Sequence, residues 1–211
     1  VAEVARQFAG ASTEESGPDP AEPSAAARAD RTVLVKPAAQ AQVLIAFLAP
    51  PTALPHYPAV KVLATALGGG MAGRLFTEVR DKQGLAYSTG GSYPSRRGPG
   101  VFFTQLGTAP ANQARAEVAM LGELDRIRRE PVSPSELARA KAYLLGQFGL
   151  DRRTNARLAW YDAFFEALGV GPDFADRYAQ AVEAVTAEDV QRVARTYLTT
   201  PTIVTLGPAA Q

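Results

Sequence analysis

The sequence predicts an α+β fold of two layers, a largely antiparallel sheet covered by helices. Two short β-branched runs open the ordered part, RTVLVK at residues 31–36 and AQVLIAFLA at residues 41–49, broken by Pro37 and ended by Pro50-Pro51. A second pair of strand-like runs, residues 86–93 and 100–108, flanks the turn sequence PSRRGP. After it come several helical patterns in a row, closed by TIVTLG at residues 202–207. Strands and helices are thus partly segregated along the chain, which is the mark of helices layered over an antiparallel sheet rather than of alternating βαβ units.

Each element has a local reason. The second strand, residues 41–49, is apolar along most of its length and is expected at the centre of the sheet. Residues 57–67 place Tyr57, Val60, Leu63, Ala64 and Leu67 on one helical face, and the pattern stops at Gly68-Gly69-Gly70. A second helix is expected over about residues 72–82, with Leu75, Phe76 and Val79 turned inward. Residues 112–129 form a long helix. Ser133-Pro134-Ser135-Glu136 supplies an N-cap, a proline at the first helical position and a glutamate that closes a capping box, so a helix is expected over residues 134–148. Helices follow at about residues 153–168 and 173–184. Thr186 and Asp189 form another Ser/Thr-x-x-Asp/Glu start, for a helix to about Leu198.

Upstream, residues 1–9 include VAEVARQF, with Val1, Val4, Ala5 and Phe8 at helical spacing. They read as the tail helix of a truncated N-terminal part of the domain. Residues 10–30 shift to Ala, Ser, Pro and acidic residues, including Gly17-Pro18-Asp19-Pro20, and read as a linker. Residues 31–211 read as the folded domain that follows it. The first residue is Val and no charged-then-apolar leader follows, so the chain is expected to be a fragment or a processed product.

Composition narrows the function. With 22 Lys and Arg against 21 Asp and Glu, the net charge of +1 gives no basic field for nucleic acid. There is no cysteine, which removes disulfides, thiol nucleophiles and Cys-ligated zinc. The longest near-continuous apolar stretch, residues 43–49, is far shorter than the roughly 20 residues of a membrane helix. The expectation is a soluble chain of the bacterial cytoplasm or periplasm, with neither membrane nor nucleic acid as partner.

The only histidine, His56, lies in LPHYP at the start of a helix. A single imidazole does not make a zinc site, which takes three protein ligands, and neither H-x-x-E-H nor H-E-x-x-H occurs. The chain is expected to hold no metal and to be inactive alone. Gly68 to Leu75, GGGMAGRL, resembles a phosphate-binding loop only on the surface. Arg74 stands where that loop has Lys, Leu75 where it has a metal-binding hydroxyl, and a helix precedes it rather than a strand. The glycines permit a turn with close backbone approach, or a surface along which an extended peptide lies.

The sequence EVRDKQGLAYS, residues 78–88, is more informative. It ends a helix at about Arg80, turns at Gly84 and starts a strand at Tyr87, so that Arg80 and Tyr87 share one cleft. Such a pair binds a carboxylate or a carbonyl oxygen gaining negative charge. The competing reading is a surface Arg80 paired with Asp81 or Glu78, beside a half-buried Tyr87.

The run LGGGMAGRLFTEVRDKQGLAYS resembles the central signature of the C-terminal, non-zinc half-domain in the insulinase, pitrilysin and mitochondrial-processing-peptidase family of zinc metallopeptidases. The likeness continues through GTAPANQARAEVAMLGELDRI, SPSELARAKAYLLGQF and VTAEDVQRVARTYL, and covers roughly residues 31–208. What the resemblance implies is a pair of similar halves facing each other around a chamber in which an extended peptide is cut. One half holds zinc through H-x-x-E-H; the other holds none. In this reading Tyr87 donates a hydrogen bond to the scissile carbonyl, Arg80 clamps substrate, and Gly68, Gly69 and Gly70 touch the peptide. The partners implied are the zinc-bearing half, as domain or subunit, and the peptide. The zinc belongs to that facing half.

The alternatives are a structural core subunit of the same fold and a stand-alone peptide-binding module. The resemblance also implies that the first strand of the usual half-domain is missing here, leaving an unpaired sheet edge.

Overall fold

The computed structural model describes Arg6 and residues 29–208. Apart from Arg6, the tail helix expected over residues 1–9 lies outside the described residues, as does the linker up to residue 28. Among the described residues five strands form one sheet: β1 (Asp30–Val35), β2 (Ala41–Ala49), β3 (Ser88–Ser92), β4 (Gly100–Thr108) and β5 (Thr202–Gly207). Their spatial order is β1-β5-β2-β4-β3. Only β1 and β5 run parallel; the other pairs are antiparallel. The apolar β2 therefore occupies the centre, with both sides of its backbone paired. Among the described residues β1 and β3 are the edges.

Period-two alternation decides which face is covered. Val43, Ile45 and Phe47 of β2 are buried, and their neighbours on β4, including Thr104 and Phe102, are buried with them. Among the described residues six helices supply the covering layer: α1 (Tyr57–Gly68), α2 (Gln113–Arg129), α3 (Pro134–Asp151), α4 (Asn155–Ala167), α5 (Phe174–Ala184) and α6 (Ala187–Tyr197). The α1 face expected to be buried is buried throughout: Tyr57, Val60, Leu63, Ala64 and Leu67. A fully buried leucine such as Leu63 contributes roughly 2 kcal/mol of transfer free energy. On the opposite face of the sheet, Leu44, Leu48, Val101 and Phe103 are only partly covered or exposed.

Both capping boxes form. The Glu136 amide donates to Ser133 Oγ at 3.2 Å while the Ser133 amide donates to the Glu136 carboxylate at 2.9 Å. Thr186 and Asp189 do the same at 3.1 and 2.9 Å. Each satisfies two backbone donors that a helix start otherwise leaves open. On the sheet side, Arg31 of edge strand β1 makes a two-pronged ion pair with Glu117 of α2, which ties the edge to the helical layer.

The region expected as a plain helix over residues 72–82 differs. A 3₁₀ turn (Gly70–Ala72) is followed by a π-helical segment (Leu75–Asp81), in which the Lys82 amide reaches back five residues to the Thr77 carbonyl at 3.1 Å. Leu75 and Val79 still point into the core, whereas Phe76 is only half-buried. No helix among the described residues is long and apolar enough to cross a membrane.

Candidate functional site

The segment from Arg74 to Tyr87 is held by backbone bonds that leave little freedom in where its side chains lie. After the π-helical segment, Gly84 takes a positive φ of 62°, a conformation open to glycine without strain. Its amide bonds to the Arg80 carbonyl and that of Leu85 to the Val79 carbonyl, both at 3.0 Å. Thr108 Oγ1 then donates to the Leu85 carbonyl at 2.6 Å, and the Tyr87 amide donates to the Gly107 carbonyl at 2.8 Å. The turn is thereby fastened to the end of β4. π-helical turns of this kind recur at functional sites because the extra residue re-aims the side chains after it.

Arg80 and Tyr87 are brought together. Arg80 Nε donates to the Tyr87 carbonyl oxygen at 3.3 Å, and the guanidinium lies 4.4 Å from the centroid of the Phe76 ring. Arg80 also pairs with Asp81 at 3.2 Å, so the bland expectation for this arginine holds in part. That pair is open to water on both sides, and exposed pairs of this kind are worth little. Tyr87 is 61% exposed. Among the described residues its phenol makes no hydrogen bond, leaving one donor and one acceptor free at a fixed backbone position.

The glycine run has a packing duty that spacing alone did not reveal. A methyl group on Gly68 would stand 1.9 Å from the Gly91 amide nitrogen, so the end of α1 rests directly on the backbone of edge strand β3. Gly70 has a positive φ of 68° and lies against the Tyr143 ring. Gly69 lines a cleft of about 270 Å³ together with Met71, Glu136, Arg139 and Tyr143.

Beside this cleft lies a pair the sequence did not disclose. Arg74 is buried and donates from Nε to Glu136 at 2.7 Å and from Nη2 at 3.3 Å. Burial alone would raise the Glu136 carboxyl. Hydrogen bonds from Arg74 and from Ser133, with the nearby guanidinium charge, more than offset it and hold the group at about 2. The two partners are 62 positions apart, so no local pattern announces them.

Among the described residues no group of three or more His, Asp or Glu stands close enough to hold a metal. His56 Nδ1 lies 2.7 Å from the Tyr197 hydroxyl, at the start of α1. The donor set among the described residues therefore does not fit zinc.

Residues 2–144 match the family described as Peptidase M16 inactive domain. A curated relative from Streptomyces coelicolor, named an uncharacterized zinc protease, is 33% identical over 160 residues, which is 71% of this chain and 33% of the relative. The fold matches the M16 inactive domain from Pseudomonas fluorescens with a TM-score of 0.80 at 23% identity, covering 92% of this chain and 46% of that one. It matches a protease from Helicobacter pylori with a TM-score of 0.79 at 22% identity, over 92% of this chain and 48% of the other. The chain thus spans about a third of the length of that curated relative and about half of those solved chains. With that family model matched over more than half of its length and its α+β architecture shared with the solved domains, the chain belongs to the M16 peptidase family, in the part described as its inactive domain.

Proposed function

We propose that this domain completes the active site of a zinc metalloendopeptidase by facing a homologous zinc-bearing half, domain or subunit, and holding an extended peptide between them. The observation that carries the reading is the Arg80–Tyr87 pair, with its carbonyl contact of 3.3 Å and a phenol that is exposed and unbonded within the described residues. A hydroxyl of this kind, fixed through its backbone at Gly107, is suited to a partner outside the chain. Zinc, held by the facing half, would supply the activated water.

This chain's own residues have separate tasks. The Tyr87 phenol donates a hydrogen bond to the scissile carbonyl oxygen as negative charge builds on it. A preorganised donor of that kind contributes roughly 3 kcal/mol to the transition state, or a hundredfold or more in rate. Arg80, steadied by Phe76, fixes the Tyr87 backbone and offers its remaining N–H groups to substrate carbonyls. Gly68, Gly69 and Gly70 present backbone rather than side chain along the substrate path. The partly open sheet face with Leu44, Leu48, Val101 and Phe103 faces the other half, and edge strand β3 is available for strand addition by the peptide.

The test is hydrolysis of a quenched fluorescent peptide by the zinc-bearing half with and without this chain. The expected result is activity only when both are present with Zn²⁺. Full activity of the zinc half alone would instead make this domain a structural subunit or a separate peptide-binding module.

A further inference from the structure

Between α1, α3, α4 and α5 lies a second cavity, of about 200 Å³, which shares no residue with the Arg80–Tyr87 site. Its wall is mostly aromatic. Phe148 meets Tyr178 edge-on at 5.1 Å, Phe174 stacks on Tyr178 at 5.8 Å, and Phe165 lies 4.8 Å from Phe174. Among these rings the lining holds one cation, Lys61.

Lys61 is one helical turn after Tyr57 on α1 and is partly buried. Its ammonium donates to the Tyr93 carbonyl oxygen at 2.7 Å and sits 5.3 and 5.4 Å from the ring centroids of Tyr57 and Tyr93. One of its three donors is used, and two electron-rich ring faces steady the charge. Burial lowers its pKa to about 8, and no carboxylate among the described residues acts to raise it. Asp151, at another part of the lining, is already engaged: it accepts from the Tyr161 hydroxyl at 2.9 Å and faces Arg157 at 3.7 Å.

An ammonium drawn out of water without an anion is costly, and a leucine or methionine at this position of α1 would avoid that cost. A half-desolvated cation beside an open aromatic cavity is chemistry suited to an anionic ligand with an apolar body. The space takes one ring and a short arm; pockets for drug-sized ligands begin at about 300 Å³. We propose that this cavity binds a small carboxylate bearing one aromatic ring, with the ring among Phe148, Phe174 and Tyr178 and the carboxylate on the Lys61 ammonium. The same chemistry belongs to a free arylalkanoic acid and to the C-terminal residue of a peptide ending in phenylalanine.

The single tryptophan, Trp160, stacks on Phe164 at 4.7 Å, and Phe164 lines the cavity, so its fluorescence reports occupancy. Titration of the chain with 3-phenylpropionate, followed by this signal and by calorimetry, is expected to saturate with a Kd on the order of 1 mM. The neutral isostere 3-phenylpropanol should bind about tenfold more weakly, because it loses the charge-assisted bond. Lys61→Met should abolish that preference while circular dichroism stays unchanged. A short peptide ending in free phenylalanine that binds as well as the acid, with its C-terminal amide inactive, identifies a peptide terminus as the ligand; binding of the acid alone identifies a small molecule. Absence of saturation by acid and peptide alike, or equal binding of acid and alcohol to the unaltered chain, overturns the proposal, and the second comparison decides even if the variant does not fold.

Discussion

Arg74 and Arg80 lie six positions apart in one short segment, and each pairs with a carboxylate, yet their surroundings separate their roles. The Arg74 side chain is 7% exposed and its partner Glu136 23%; the Arg80 side chain is 39% exposed and Asp81 52%. The first pair joins the π-helical region to the start of α3, where Glu136 also closes the helix cap. The second spans adjacent residues and fastens nothing distant. Burial turns the same chemistry into architecture in one case and leaves it open to water in the other.

Substitutions can sharpen that contrast. Arg74→Met leaves Glu136 without its guanidinium in a mostly covered site and should cost about 3 kcal/mol, read as a lower urea midpoint at unchanged slope. Glu136→Gln should cost about 2 kcal/mol at neutral pH, allowing for the partial exposure of the carboxylate. Because the folded-state value is depressed from 4.5 to about 2, this contribution is fully present above pH 4.5 and is lost as pH falls toward 2. The stability gap between parent and variant should therefore close across that window, as followed by denaturation at a series of pH values. Arg80→Met should shift stability by less than about 0.5 kcal/mol. Its effect should fall instead on peptide turnover of the assembled enzyme, lowered about tenfold through loss of a charge-assisted clamp. A large loss of stability in Arg80→Met, or none in Arg74→Met, would erase the distinction.

What was legible in the sequence follows the range of the interactions. The buried face of α1, the central place of β2 and the two capping boxes are written in local patterns, and the structure has them where those patterns put them. The π-helical segment was not legible, since Leu75 and Val79 suit an α-helix as well and the wider turn shows only in which carbonyl the Lys82 amide meets. For the candidate site, the Arg80-to-Tyr87 spacing and the Gly84 turn could be read, but the carbonyl contact between the two residues could not. Gly68 looked like a turn residue or a peptide surface because its close neighbour, Gly91, lies on a strand 23 positions away. Lys61 could have been noticed as a charge among buried positions of an apolar helix face; its aromatic surroundings come from four separate elements.

The most direct test of the account is steady-state kinetics of Tyr87→Phe in the assembled two-half enzyme, with peptide affinity measured alongside. Removing only the phenolic oxygen should lower kcat about a hundredfold, while peptide affinity and folding stability stay nearly unchanged. An unaltered kcat, or a loss in binding as large as the loss in turnover, would contradict the role assigned to Tyr87 and with it the reading of this domain as half of an active site.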